Sequence, residues 1–458
     1  MKTQPSLKKN QYLARGGLAL SALAASLGLV ACGGGDVLTP LPTLGGADPL
    51  VIGHRGLPGL FPEETGPAYE GAADAGADSL ELDLHLSKDC QLIARHNPWL
   101  SDNTNIAEVA KSNAEVAARK RTVPGVKVPV KYDVAVYGGP AFYLSDLTDP
   151  KDPKSVLKSL VVDGEDHTGD WSISDFTAAE LKKWLGGTSY DNAKDRVQAT
   201  AQNGKYPVIT FQEVIDIAAA KSKASGRKLS VYPELKNPVW NNAQAKANGC
   251  GTGERPFEDI FLKVIRDNKL DSRDAPIFVQ SFDPPTLKYL RAAGMQARAV
   301  QLIDGNDVNY KTGEMIYQQP DEWNFISGRP YSWTVAGDPR YFGVLLTPAG
   351  LAEIKTYADG IGPWKPQLML HTTPDGTGGL KAVNKVTPSS VIADAHKAGL
   401  IVHVYTFRSE ASRLAGVYQG DPVAEYLAYY RAGVDGVFSD FAGTAFDARQ
   451  RYLKEMGR

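Results

Sequence analysis

Between residues 50 and 439 short apolar segments alternate with helix-length segments, and no other feature of the chain limits its fold as strongly. The strand-like segments are 50–53, 79–86, 229–234, 276–280, 297–302, 360–362, 401–405 and 434–439. The helix-like segments include 65–75, 176–185, 211–225, 256–268, 284–293, 388–398 and 422–432. Several open with a capping residue and a proline, as in Thr65-Gly66-Pro67, Thr387-Pro388 and Asp421-Pro422. Proline's missing N–H is harmless there and its fixed φ suits a first turn. Several close at Gly76, Gly226, Gly294, Gly399 or Gly433, residues that accept a left-handed backbone. Strands joined by helical crossovers pair in parallel. Eight such units over roughly 400 residues predict an α/β fold, a (β/α)8 TIM barrel, with a doubly wound open sheet as the alternative. Two insertions, about 99–174 and 304–347, are rich in Gly, Pro, Asp, Asn and Tyr. Both follow the C-terminal end of a strand or its hairpin, the face on which barrels build active sites.

The chain has 458 residues, 43% of them hydrophobic, so a large core is available. A net charge of −2 without a long basic stripe argues against a nucleic-acid partner. The N-terminus reads as a targeting signal. Lys2, Lys8, Lys9 and Arg15 precede an apolar run, 18–30, that is too short to span a bilayer. The run ends in Leu29-Val30-Ala31-Cys32, which resembles a bacterial lipobox. On that reading residues 1–31 are a signal peptide and Cys32 is lipidated; the alternative is an ordinary secretory signal. Residues 33–48 then form a flexible tether reaching on the order of 20–24 Å. A single domain follows over 49–450. The protein is thus expected to be exported and lipid-anchored in the bacterial cell envelope, facing the periplasm or the exterior. Cys90 and Cys250 remain, either as one disulfide or as two thiols.

The chemistry begins on the second strand, Ser79-Leu-Glu-Leu-Asp-Leu-His-Leu86. Side chains alternate along a strand, so Glu81, Asp83 and His85 share one face and three leucines share the other. Two carboxylates aimed into a barrel mouth repel each other, and a cation resolves the repulsion. Oxygen donors without cysteine suit Mg²⁺ or Ca²⁺. On the third strand Glu234 and Lys236 share a face by the same parity. Glu234 completes a three-carboxylate set, and Lys236 offsets its charge or contacts a phosphate oxygen. His54 ends the first strand and His96 follows a short turn; two histidines near neutral pH suit acid and base roles in phosphodiester cleavage. Arg55 offers a guanidinium fork to phosphate.

Together, His54-Arg55-Gly56, Pro62-Glu63-Glu64-Thr65, the Gly76-to-Cys90 stretch, Arg95-His96-Asn97-Pro98 and Glu234-Leu235-Lys236 resemble the glycerophosphodiester phosphodiesterase family. Gln280-Ser281-Phe282, the segment from Val402 to Arg408 and the segment from Gly433 to Phe441 extend the resemblance over the later barrel. It implies a TIM barrel and metal-dependent hydrolysis of small-molecule glycerophosphodiesters to sn-glycerol 3-phosphate and an alcohol. It implies Glu81, Asp83 and Glu234 as metal ligands, His54 and His96 as the acid–base pair, and Arg55 and Lys236 as phosphate contacts. Three positions depart from the family pattern. Glu64 stands where Asn is frequent, Cys90 where Gly is usual, and Asn97 where an acid is common. Glu64 is expected to add negative charge near the site.

Trp99, Phe282, Phe407 and Trp364 are candidates to line the head-group pocket, and His167 is a candidate to approach substrate. His371 is expected on a loop, His396 on a helix surface, and His403 packed in a strand. Two alternatives stand beside the main reading. One is a phospholipase D-like or lysophospholipase D activity, with an apolar groove from residues 310–341. The other is a non-catalytic surface-binding lipoprotein on an old enzyme fold.

Overall fold

The computed structural model describes residues 40–121, 161–163, 165–167, 169–190, 195–317 and 328–458. The predicted signal peptide, Cys32 and the first part of the tether lie outside these residues. Eight strands form the barrel: β1 (Leu50–Gly53), β2 (Ser79–Leu86), β3 (Ser230–Leu235), β4 (Phe278–Ser281), β5 (Arg298–Ile303), β6 (Gly360–Pro363), β7 (Ile401–Phe407) and β8 (Gly436–Ser439). Each pairs in parallel with its neighbours, and β1 pairs with both β8 and β2, so the sheet closes. The open-sheet alternative is excluded.

The crossover helices include α1 (Gly66–Asp74), α2 (Phe211–Ser225), α3 (Pro238–Ala247), α4 (Pro256–Asp267), α5 (Pro284–Ala292), α6 (Pro348–Lys355), α7 (Val391–Lys397), α8 (Pro422–Arg431) and α9 (Ala442–Glu455). Helix α2 shows why these segments are helical. Thr210 and Glu213 cap its first turn reciprocally, and Gly226 ends it at φ 69°. Helix α7 departs from expectation: Thr387 and Pro388 do not open it. They end the hairpin strand Lys385–Pro388, which pairs with Met369–Thr372, and the helix starts at Val391 after Ser390. A proline lacks only a donor, so it is tolerated at the end of a two-stranded hairpin. His371 sits in that hairpin and is buried, not on a loop.

The alternation on each strand divides the core. Leu80, Leu82 and Leu84 on β2, with Val231, Val279, Ala299, Val402 and Val437, face outward onto the helices. Inside the barrel, Ile52, Tyr232, Phe278, Val300 and Phe438 form one apolar layer. His403 joins it, and its Nδ1 shares a hydrogen bond of 2.9 Å with the Tyr232 hydroxyl. This layer plugs the barrel, and the next inward-facing residues along the same strands lie above it.

The described end of the predicted tether is not loose. Leu41 N donates to Arg431 O at 2.8 Å, Leu44 N donates to Asp435 at 2.7 Å, and Asp48 pairs with Arg458 at 2.7 Å. These contacts hold it at the N-terminal ends of the strands. Across the molecule, Cys90 and Cys250 form a disulfide with a Cα–Cα distance of 5.5 Å. It joins the turn after β2 to the end of α3, and Cys90 has φ 66°, which explains why glycine suits that turn.

Candidate active site

The register between β2 and β3 places Asp83 beside Glu234, and Glu81 enters from one step lower on β2. A donor oxygen of each lies within 4.8 Å of the others. All three are buried. Asp83 Oδ2 is buried without a hydrogen-bond partner, while Gln280 on β4 donates to Glu81 at 3.0 Å. Such a group of hard oxygen donors, one of them orphaned, fits a divalent cation. The electrostatics point the same way. Burial, Asp83 and Glu234 push the Glu81 carboxyl well above its ordinary range. Burial also dominates at Glu234, which rises to about 8 although Lys236 opposes the shift. Asp83 stays charged: burial works against it, but the cations Lys236 and Arg55 outweigh that cost.

Two cations flank the group. Arg55 Nε lies 3.3 Å from Asp83 and its NH1 lies 3.2 Å from Glu63, while its backbone N donates to Glu81 at 2.7 Å. Arg55 has a left-handed φ of 54°, a conformation costing roughly 1–2 kcal/mol for a residue with a side chain. Lys236 lies 3.5 Å from Glu234 and 3.9 Å from Asp83. Glu64 is not among the metal-facing donors. It stands behind Asp83, whose backbone N donates to it at 2.8 Å, and faces Arg95 at 3.9 Å.

The two histidines are held differently. His54 Nδ1 meets Asp440 at 2.6 Å. Asp440 in turn pairs with Arg196 and lies 3.6 Å from Arg408, so it remains an anion and holds the proton of His54 on Nδ1. Burial first, then Arg55, lowers the His54 pKa, which leaves Nε2 as an acceptor. His96 Nδ1 meets the neutral Oδ1 of Asn97 at 2.6 Å, and Asn97 donates to Asp102 at 2.6 Å. The acid expected beside the second histidine is therefore present one hydrogen bond away. Lys236 donates to His96 Nε2 at 3.0 Å, and burial, Arg55 and Lys236 hold the ring neutral. His85, one step above Asp83, bonds the backbone oxygen of His96 at 3.2 Å and accepts from Asn241 at 2.9 Å. It positions His96 from behind.

These groups open into a cleft of about 1380 Å³. Trp99, His167, Phe282, Tyr405 and Phe342 line it, so both insertions contribute walls. Trp99 is itself buried and stacks on His167 at 4.9 Å. Phe407 is a correction. It is fully buried outside the barrel, stacked on Tyr426 at 4.7 Å. The β7–β8 register shifts between Val404 and Phe407, which breaks the alternation after Tyr405, still inward like His403, and turns Phe407 outward. Sequence reasoning also missed Asp440, Arg196, Asn241 and Tyr190, whose ring lies 5.7 Å from the Arg55 guanidinium. Asp440 had a signal, since it continues the inward parity of Phe438; Arg196 and Tyr190 had none.

Residues 54–444 match the model of the Glycerophosphoryl diester phosphodiesterase family. The glycerophosphodiester phosphodiesterase GDPD6 of Arabidopsis thaliana is 33% identical over 407 residues, covering 86% of this chain and 84% of that one. A glycerophosphodiester phosphodiesterase of Haemophilus influenzae is 24% identical over 416 residues, covering 88% and 90%. Among solved structures, an Oleispira antarctica phosphodiesterase in complex with the product sn-glycerol-3-phosphate aligns with a TM-score of 0.47 at 15% identity, covering 89% of this chain and 99% of that one.

Proposed function

The chain belongs to the glycerophosphoryl diester phosphodiesterase family, and from that premise we propose that it cleaves glycerophosphodiesters with one divalent cation and the pair His54 and His96. The products are sn-glycerol 3-phosphate and an alcohol. One observation carries this reading: three buried carboxylates converge between two cations and two histidines on the floor of one cleft.

Glu81, Asp83 and Glu234 would hold the cation, Ca²⁺ or Mg²⁺. When bound it supplies Lewis-acid stabilisation of charge on the phosphoryl oxygens. Arg55 and Lys236 bind and orient the anionic phosphate from two sides. His54, with Asp440 fixing its Nδ1 proton, takes a proton at Nε2 from the attacking oxygen. His96 delivers a proton to the leaving alcohol. A phosphate that draws Lys236 away removes positive charge from His96 Nε2 and lets that atom carry the proton. The carboxylate behind His54 favours the base role, and the neutral Asn97 behind His96 favours the acid role.

Glycerol 3-phosphate release from glycerophosphocholine by protein lacking residues 1–32 tests the reading. Release should stop with EDTA and return with Ca²⁺ or Mg²⁺. Full activity after exhaustive chelation would remove the cation from the mechanism. We further propose that Cys32 carries a lipid that anchors the protein in the cell envelope. Its test is detergent-phase partition of the full chain: Cys32→Ser should move the protein to the aqueous phase, and unchanged partition would refute the anchor.

A further inference from the structure

His54 and the groups behind it come from three distant parts of the chain. His54 follows β1, Asp440 follows β8, and Arg196 arrives from the connection between β2 and β3. Residues 195–206 of that connection lie as a strap between the turn after β1 and the loop after β7. Gln202 donates to Leu60 O at 2.8 Å, and Ser412 donates to Asp195 at 2.6 Å. Asn203 of the strap accepts from Ser189 N at 2.8 Å, and both residues line the cleft. Asp195 and Lys205 are exposed. Arg196 is the strap's buried charge, with 4% of its side chain exposed.

Two arginines compete for the Asp440 carboxylate. Arg196 Nε donates to Glu410 at 2.8 Å, and its Nη2 donates to Asp440 Oδ2. The other carboxylate oxygen, Oδ1, meets His54 Nδ1 at 2.6 Å. A carboxylate is planar, so a bond that fixes Oδ2 also aims Oδ1. Arg408 donates to the same Glu410 oxygen at 2.8 Å, but its Nε lies 3.6 Å from Asp440 Oδ2, outside hydrogen-bond distance. Burial opposes the Asp440 charge, and Arg196 leads the groups that sustain it.

We infer that Arg196 is a positioning residue for the base: it aims the Asp440 carboxylate at His54 Nδ1 and holds it away from Arg408. The inference rests on the phosphodiesterase reading, in which His54 Nε2 takes a proton from the attacking oxygen, and adds the residue that fixes the partner of that base. Arg196 is not among the residues lining the cleft, so it acts through Asp440. Without it, Asp440 Oδ2 turns to Arg408 and His54 Nδ1 loses its acceptor. The hydrogen bond at one ring nitrogen decides which nitrogen carries the proton, so Nε2 is then protonated part of the time and cannot accept.

The test is a double-mutant cycle on kcat for glycerophosphocholine, using the full chain in detergent with saturating Ca²⁺ or Mg²⁺. Arg196→Gln should lower kcat at least about tenfold with KM within about twofold of wild type. Asp440→Asn should lower kcat at least as far. The double variant should match Asp440→Asn within about twofold, because removing Arg196 costs nothing once Asp440 is gone. Losses that multiply, or a kcat unchanged in Arg196→Gln, would overturn the inference. If Arg196→Gln does not fold, Arg196→Lys enters the same cycle under the same criteria, since it keeps the charge but lacks the fork that bonds both acids. A second measurement needs no turnover. In protein carrying ¹⁵N-labelled histidine, the His54 signal, assigned by its loss in His54→Gln, should report a proton on Nδ1 in wild type and mixed tautomers in Arg196→Gln. An identical His54 signal in both proteins overturns the inference. If wild type cleaves no glycerophosphodiester, the phosphodiesterase reading fails, while the histidine spectrum still decides whether Arg196 positions His54.

Discussion

Two layers inside the barrel differ by two residues along the same strands and do opposite work. The lower layer is Ile52, Tyr232, Phe278, His403 and Phe438. The upper layer, two positions further on, is His54, Glu234, Gln280, Tyr405 and Asp440. Both face inward by the same parity. The lower layer packs apolar surface and stabilises the fold. The upper layer gathers buried charges that repel or desolvate one another, and it is held in place by the packing beneath it. A strongly perturbed cluster standing on a satisfied plug is how a site stores binding capacity for a cation and an anion.

The largest expected break in this contrast is at His54. His54→Ala should lower kcat by about 10²–10⁴-fold, or about 3–5 kcal/mol, with thermal midpoint near wild type. A near-normal rate would remove His54 from the chemistry. The lower layer should answer in the opposite way. Phe278→Ala should cost about 3–5 kcal/mol of stability, while the folded fraction keeps a kcat close to wild type. Denaturant unfolding and active-site-normalised rates measure the two separately.

The layers should also part on pH. Burial holds His403 at about 4, below its ordinary 6.5, so the unfolded chain takes the proton first. Stability from this group is complete above about 6.5 and is lost as pH falls towards 4, by about 3 kcal/mol in all. His403→Gln should flatten that acid slope in a urea-midpoint series. In the upper layer the sign reverses. Glu234 rises from 4.5 to about 8, so the metal-free protein should lose stability as pH climbs through that window. Asp83, held low beside it, titrates below this window and does not offset the slope, while Glu81, raised by burial and by its carboxylate neighbours, adds to it. Saturating Ca²⁺ or Mg²⁺ should erase the slope, and Glu234→Gln should reduce it. A slope that persists with bound cation would mean that Glu234 is not a ligand.

Much of this site was legible in local pattern. The alternation in Ser79–Leu86 put Glu81, Asp83 and His85 on one face, and β3 placed Glu234 and Lys236 by the same rule. The eight strands were located to within a few residues for the same reason: buried parallel strands read as short apolar runs between helix caps. Phe407 was misplaced because one register shift reverses parity, and that shift arises from pairing with β8.

The sequence by itself determined the barrel, the inward carboxylates and the two histidines, since period and motif are properties of neighbouring residues. Only the tertiary structure decided what completes each group. Asp440 reaches His54 across 386 positions, Arg196 reaches Asp440 across 244, and Cys90 reaches Cys250 across 160. No periodicity links such residues. Closing the barrel brings them together, and the packing of its two layers fixes which of them touch.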